Sequence, residues 1–464
     1  MRLRSNRGAA LPTVIMVMLV TFIFASIVLT MTTSETKAEI TYETNMKALH
    51  AAETGINQYL WYINKENADP IPMETEIGYP EHNPEFIYTL KLIEDTSSKK
   101  VIQSTGWTIG NPDLKRKVEV TLTKRSFTQY VYFSDNDPID IYWSSRDRCY
   151  GPYHTNTSLY ISGNPIFFDK VTYVDKIEKK NGNNDHPVFR KGHEQVSEIT
   201  FPTSNSELKA RAEEGGYLYT GRTCIRLNED GTVTIRNKEK STETKPLPSN
   251  GVIYVDGSTK SVGDKFNLDA GNVFIGGTLN GRLTVAAAND IYITDYDPTV
   301  LTLRTNTMVT NGVKYKNVTF SKDTDNGNIS YSPTNATDML GLIANRHVGI
   351  LTNGWFKTDS WSPAPASGDI TVCAAVFAIG GKFGNSAQLA NSNNTSYPST
   401  PGTLTLWGSI IQSERGAVGK FSGDTTTEGY SKDYAHDPRL LYDQPPYFLE
   451  PMNSGWEINE WNEK

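Results

Sequence analysis

The sequence predicts an α+β protein: one long N-terminal helix, a small β region behind it, and a large β-rich domain. That domain is expected to be a parallel β-helix or similar solenoid, with a β-sandwich as the alternative. Three observations predict this. An uncharged apolar run near the N-terminus passes without an interrupting proline into an amphipathic stripe. A short following region alternates apolar and polar residues. From about Phe127 onward, short β-rich runs recur, punctuated by Gly, Asn and Asp.

Residues 9–31 carry no charge and would span about 34 Å as a helix, enough to cross a bilayer. Arg2, Arg4 and Arg7 precede the run, while Glu35 and Glu39 follow it. The positive-inside rule then keeps the N-terminus cytoplasmic and sends the body outside. A cleaved signal peptide would have a shorter apolar core followed by small residues. Here the small residues Gly8, Ala9 and Ala10 come first. The simplest reading is a single-span anchor, but it leaves the downstream pattern unexplained. Tyr42, Met46, Leu49, Glu53, Ile56, Leu60 and Ile63 fall at alternating spacings of four and three, the stripe of a helix packed against a neighbour. With no proline across residues 13–69, one helix of roughly 85 Å can run from the membrane into the body.

A short basic leader ending in glycine, then AAL and an apolar run, then "LHAAETGI", resembles the type IV minor pilins of the PilX type. The resemblance covers residues 7–60. It implies cleavage by prepilin peptidase between Gly8 and Ala9, methylation of the new amine, and transfer of the helix from membrane to filament core. Leu11, Pro12, Thr13, Val14, Met18 and Phe22 would then form the membrane and filament face, and Leu49, Glu53 and Ile56 the helix–body contact. Most pilins carry glutamate where this chain has Thr13, although PilX-type proteins and K-type minor pseudopilins commonly lack it. Pro12 lies in the first turn, where it is sterically harmless. The implied division is a leader at 1–8, a pilin-like helix at 9–66, a small β region at 67–126 and a displayed domain at 127–464.

In the small region, EFIYTLKLIED and KRKVEVTLTKRSF read as antiparallel strands lying against the helix. In the large one, GNVFIGGTLNGRLTVAAANDIYI places Val273, Ile275, Leu279, Leu283, Val285, Ile291 and Ile293 in repeating runs with turns between, as stacked rungs require. A sandwich would have longer strands and clearer hairpins. Gly276-Gly277 and Gly380-Gly381 are expected at tight corners, and residues 179–186, 238–245 and 388–400 at surface loops. "GPYHTNTSLYISGNPIFF", "GSIIQSERGAVG" and "GYSKDYAHDPRLLYDQPPYF" look like recurring features of large domains on PilX-like proteins.

The net charge of −7 becomes −10 once Arg2, Arg4 and Arg7 are removed, which argues against nucleic acid or anionic lipid as the main partner. Cys149, Cys224 and Cys373 are odd in number and far apart; buried free thiols are expected, with one long-range bridge the alternative. No HExxH, GxSxG, P-loop or dinucleotide motif occurs. His154 reads as a turn histidine capping backbone groups. Asp135, Asn136, Asp137 and Asp140, like Asp323 and Asp325, offer oxygen ligands without EF-hand spacing, and solvated turns are the preferred reading over calcium. Asn228 to Val233 (NEDGTV) reads as a β-turn. Trp355, Trp361 and Tyr397 could form a sugar-binding surface, a weak pattern among 24 tyrosines.

The expected protein is structural: a minor pilin in few copies at or near a pilus tip, priming assembly and adhering. No catalytic residue, cofactor or metal is expected. The partners expected are other pilins and minor pilins, prepilin peptidase, the inner-membrane assembly machinery, the membrane itself through residues 9–31, and a surface glycan or protein. The alternatives are a membrane-tethered β-helical glycan hydrolase or lyase, and a minor pseudopilin of a secretion system.

Overall fold

The computed structural model describes residues 10–65, 69–95, 99–124, 126–139, 141–237, 242–299, 309–351, 368–386, 389, 402–422, 425–452 and 455–464. The chain forms two compact units, Met1–Lys124 with Gly455–Lys464, and Arg125–Ser454.

In the first unit, α1 (Ala10–Asn64) is a single helix of about 80 Å. Hydroxyls in and just after its apolar half bond back along the chain, for example Thr21 Oγ1 to Val17 O at 2.9 Å and Ser26 Oγ to Ile23 O at 2.8 Å. These polar groups are thereby satisfied without leaving the helix. The C-terminal part of α1 lies on an antiparallel sheet of β1 (Ile77–Tyr79), β2 (Phe86–Asp95), β3 (Lys99–Thr108) and β4 (Asn111–Lys124). Alternation along these strands puts Tyr88, Leu90, Ile102, Val118, Val120 and Leu122 in one core with Ala52, Ile56 and Tyr59 of the helix.

The sheet has a fifth strand that the sequence reading placed in the large domain. Trp456–Glu463 pairs antiparallel with β4, setting Trp456 opposite Lys124 and Trp461 opposite Val120. Trp456 completes the small core and is flanked by the ammonium groups of Lys100 and Lys124 at 5.1 and 5.5 Å. The boundary at 127–464 is therefore corrected: the last ten residues belong with the helix. Glu457, Glu460 and Glu463 put negative charge along this edge strand, a common guard against unwanted strand pairing.

The second unit is a solenoid-like stack of parallel strands. One column of aligned residues runs Tyr217, Ile253, Val285, Leu342, Val376, Ile410, Tyr132, Tyr153, Val171, His193, each paired in parallel with the next. Antiparallel pairing confined to local hairpins and parallel pairing between rungs exclude the sandwich. A second column carries Thr223–Leu227, Val273–Leu279, Gly312–Tyr315, Ile370–Ala378, Gly402–Glu414, Thr425–Ala435, Arg148–Tyr150 and Ile166–Phe167. Inward residues fill one long apolar core.

The order of rungs in space differs from their order in sequence. The chain enters at Tyr132–Asn136 in the middle of the stack and winds to one end at His193–Gln195. It then passes through α2 (Ser206–Gly215) to Tyr217–Thr220 at the opposite end and winds back, so that Gly402–Glu414 docks on Tyr132–Asn136. Ile199, Phe201, Leu208 and Ala212 of the return segment cover the outward side of one column, over Val252, Tyr254, Ala286, Ile343 and Phe377. Stretches such as Val252–Val255 and Met339–Ala344 are thus buried on both faces and carry no charged residue.

Among the expected loops, residues 242–246 are instead the strand Thr242–Pro246, the third of an antiparallel excursion with Thr223–Leu227 and Thr232–Asn237. Thr234 and Thr244 bond across it at 2.9 Å, a cross-strand pair that favours strand over loop. Gly231 (φ 83°) makes the turn expected within NEDGTV. Gly277 (φ 117°) lies within a strand, at the bend where Val273–Leu279 changes partner, and a Cβ there would strike the backbone of Leu227.

Candidate functional site on the long helix

Residues 11–43 of α1 are exposed throughout. Leu11 is 72% and Phe22 78% exposed, and Val14 and Met18 are uncovered likewise. Pro12 and Thr13 lie in the first turn of the described helix. This helix is the described one long and apolar enough to cross a membrane, and none of its most apolar window is buried. Gly8 and Ala9 lie outside the described residues. An apolar surface of this length, uncovered within its own chain, marks an interaction or membrane segment.

The buried face of the C-terminal half is centred on small residues. Ala48, Ala51 and Ala52 are fully buried, with Ile56 and Tyr59 nearly so, while Leu49, Leu60 and Ile63 pack at the margins. Tyr42, read as part of the stripe, is exposed. The reason is close backbone approach. A Cβ on Gly106 of β3 would fall 2.5 Å from Ala48 O and 2.7 Å from Ala51 C, closer still to Ala52 N. A Cβ on Gly55 would meet Ser104 Oγ at 2.5 Å and Tyr88 Cδ2 at 2.6 Å. The "HAAETG" segment therefore lets helix and sheet touch almost backbone to backbone. Tyr88 adds a hydroxyl bond to Gln58. Ile56 lies in the core shared by helix and sheet. Glu53 does not reach backbone donors of the sheet: it is half-buried at the margin, and its carboxylate meets His50 Nδ1 one turn earlier at 3.1 Å. Its spacing in the stripe placed it near the seam, but the small residues beside it occupy the centre.

The other candidates resolve differently. His154 is not a turn cap. It lies in the strand Tyr153–Thr155, fully buried, bonded to Thr172 Oγ1 at 2.8 Å and Asn156 Oδ1 at 2.9 Å. Asp135 accepts from Asn156 Nδ2 at 2.7 Å, and Asp323 accepts from the amides of Asp325 and Asn326 at 2.8 and 3.3 Å. Asp140, Trp355, Trp361 and Tyr397 lie outside the described residues. The three cysteines are free and buried, and burial pushes the Cys149 and Cys373 thiols up. Among the described residues, no group of three or more His, Cys, Asp and Glu side chains could hold a metal ion.

One constellation escaped the sequence reading. Where the last rung docks on the first, Arg415, 2% exposed, meets Asp137 at 3.3 Å, and Lys432 meets Asp147 at 2.9 Å. Arg415 also donates to Ile141 O and Tyr142 O at 3.3 and 3.4 Å. Gln412 donates to Tyr132 OH at 2.6 Å, and His436 Nε2 bonds Thr128 O at 2.8 Å. The motifs containing Gly151, Arg415 and His436 converge here, far apart in sequence. Their recurrence was visible; the pairing of Asp137 with a residue on the last rung was not.

No family model matches the chain, and no curated protein matches it. Among solved structures it is similar to the crystal structure of the competence-associated pilin ComZ from Thermus thermophilus, at 11% identity and a TM-score of 0.26, over 91% of this chain and 98% of that one. A likeness this distant carries no argument about fold or role.

Proposed function

We propose that the chain is a type IV pilin-like subunit of the minor type, inserted in a membrane through its apolar helix and then built into a filament. The observation that carries this reading is the division of α1. Its first half is apolar and uncovered, whereas its second half is sealed on an antiparallel sheet by alanine and glycine. A helix that changes environment halfway along, without a break, suits a subunit whose apolar half leaves lipid for a bundle of like helices. The leader residues support cleavage between Gly8 and Ala9 by a prepilin peptidase, with the leader cytoplasmic and the body outside.

The reading extends to a place in the filament. Thr13 brings no carboxylate to pair with the N-terminal amine of a neighbouring subunit, and residues 127–454 are bulky for close repetition along a thin fibre. Both favour few copies at or near the tip, priming assembly and adhering, with other pilins and the assembly machinery as partners. The role is structural rather than enzymatic. Immunogold labelling of the second unit on purified filaments tests it: label at one end is expected, and regular label along the shaft would overturn the tip position.

A further inference from the structure

The joint between first and last rungs holds a cavity of about 260 Å³ within the second unit. Trp143, Tyr142, Tyr434 and Phe383 give it flat apolar walls, and Arg415 and Lys432 line it as well. Neither carboxylate that balances these cations is in the lining. Asp137 is occupied by Ser134 Oγ, Tyr153 OH and Arg415, and Asp147 by the amide and hydroxyl of Ser144 and by Lys432. Both cations also lie over Trp143, at 4.7 Å for the guanidinium carbon and 5.0 Å for the ammonium nitrogen. The cavity therefore presents positive groups and π-faces, while the carboxylates paired with those cations, Asp137 and Asp147, lie outside its lining.

We propose that this cavity is a binding site for a small organic carboxylate with a flat or ring-shaped body, its carboxylate on Lys432 and Arg415 and its body against the aromatic walls. Size selects a single ring rather than a polymer. Charge selects an anion, since the ammonium and guanidinium offer charge-assisted donors in a site largely shut off from water. Burial holds the Lys432 ammonium below the ordinary lysine value, Arg415 acting the same way and Asp147 against it, so a bound anion relieves an existing cost. Because Arg415 and Lys432 come from the last rung and Tyr142 and Trp143 from the first, the ligand would bridge the joint and stabilise it. The inference stands independently of the filament reading.

The test is calorimetric titration of the detergent-solubilised full chain with benzoate, galacturonate, galactose and sulfate, paired with thermal melts. Benzoate or galacturonate should bind at millimolar concentration or below and raise the melting temperature, whereas galactose should do neither. Lys432→Arg should retain binding. Tyr142→Ala, which leaves both ion pairs intact, should weaken it at least several-fold. No heat from either carboxylate at 10 mM, equal binding of galactose, sulfate binding as tightly as the carboxylates, or unaltered affinity in Tyr142→Ala would each overturn the proposal.

Discussion

Replacing Gly106 by valine tests how the helix is held on its sheet. The new Cβ would start 2.5 Å from Ala48 O and 2.7 Å from Ala51 C, with Ala52 N nearer still. Carbon contacts settle near 3.5–4.0 Å, so helix and strand must part by about 1 Å. The obstructing atoms are backbone and have no alternative rotamer. Overpacking ordinarily costs about 1–3 kcal/mol, and the upper end applies here because relief also loosens Ile56 and Tyr59 from Leu90, Ile102 and Val120. A loss of about 3 kcal/mol is more than a hundredfold in the opening equilibrium. Hydrogen exchange followed by mass spectrometry on peptides spanning β3 and β4 reads this directly. Thr105→Val, on the opposite face of the same strand, is the control and should change protection little. Wild-type protection in Gly106→Val would refute backbone-to-backbone packing as the basis of this core.

Four further outcomes are expected. Glu53→Ala should leave melting within about 0.5 kcal/mol of wild type, because the carboxylate's partner is His50 on the same exposed helix surface; a loss above about 1 kcal/mol would restore a contact to the sheet. Asp137→Ala strands the buried Arg415 without its counter-ion and should cost about 3–5 kcal/mol in thermal denaturation of the second unit. His347 is held down to about 4, chiefly by burial, and its Nδ1 accepts the Lys382 amide at 3.0 Å. The unfolded chain takes up a proton near 6.5 and the folded one only near 4, so stability should fall as pH drops through that window, by up to about 1.4 kcal/mol per unit, and His347→Gln should flatten the slope. Finally, residues 126–452 expressed alone should be soluble with a circular dichroism spectrum dominated by β structure, and joining Lys124 to Gly455 through a short turn should leave the five-stranded sheet protected from exchange; helix-dominated dichroism or loss of that protection would contradict the two-unit division.

Features with local causes were legible. The helix from Ala10 to Asn64 follows from an uninterrupted apolar-then-amphipathic pattern, and β2 to β4 follow from alternation. The repeated short runs indicated stacked rungs because each strand is too short to bury a core alone. Long-range choices were not legible. Any rung of Val, Ile and Leu can stack on another, so nothing local marks Ile410 as the neighbour of Tyr132 or places the first rung in the middle. The strand at Trp456 is acidic and distant from β4 in sequence, so its alternation suggested no particular partner. On the helix, hydrophobicity drew the stripe through Leu49, Glu53 and Ile56, whereas sterics centre it on Ala48, Ala52 and Gly55. The Asp137–Arg415 pair illustrates the same limit: an acidic turn and a lone arginine each look solvated until the joint buries them together.

The filament reading is tested most directly by mass spectrometry of the chain's N-terminus in filaments sheared from the cell surface. The account predicts that the chain is present there, begins at Ala9, and keeps its whole apolar helix. A chain that begins at Met1, begins beyond residue 30, or stays wholly in the membrane fraction would contradict it.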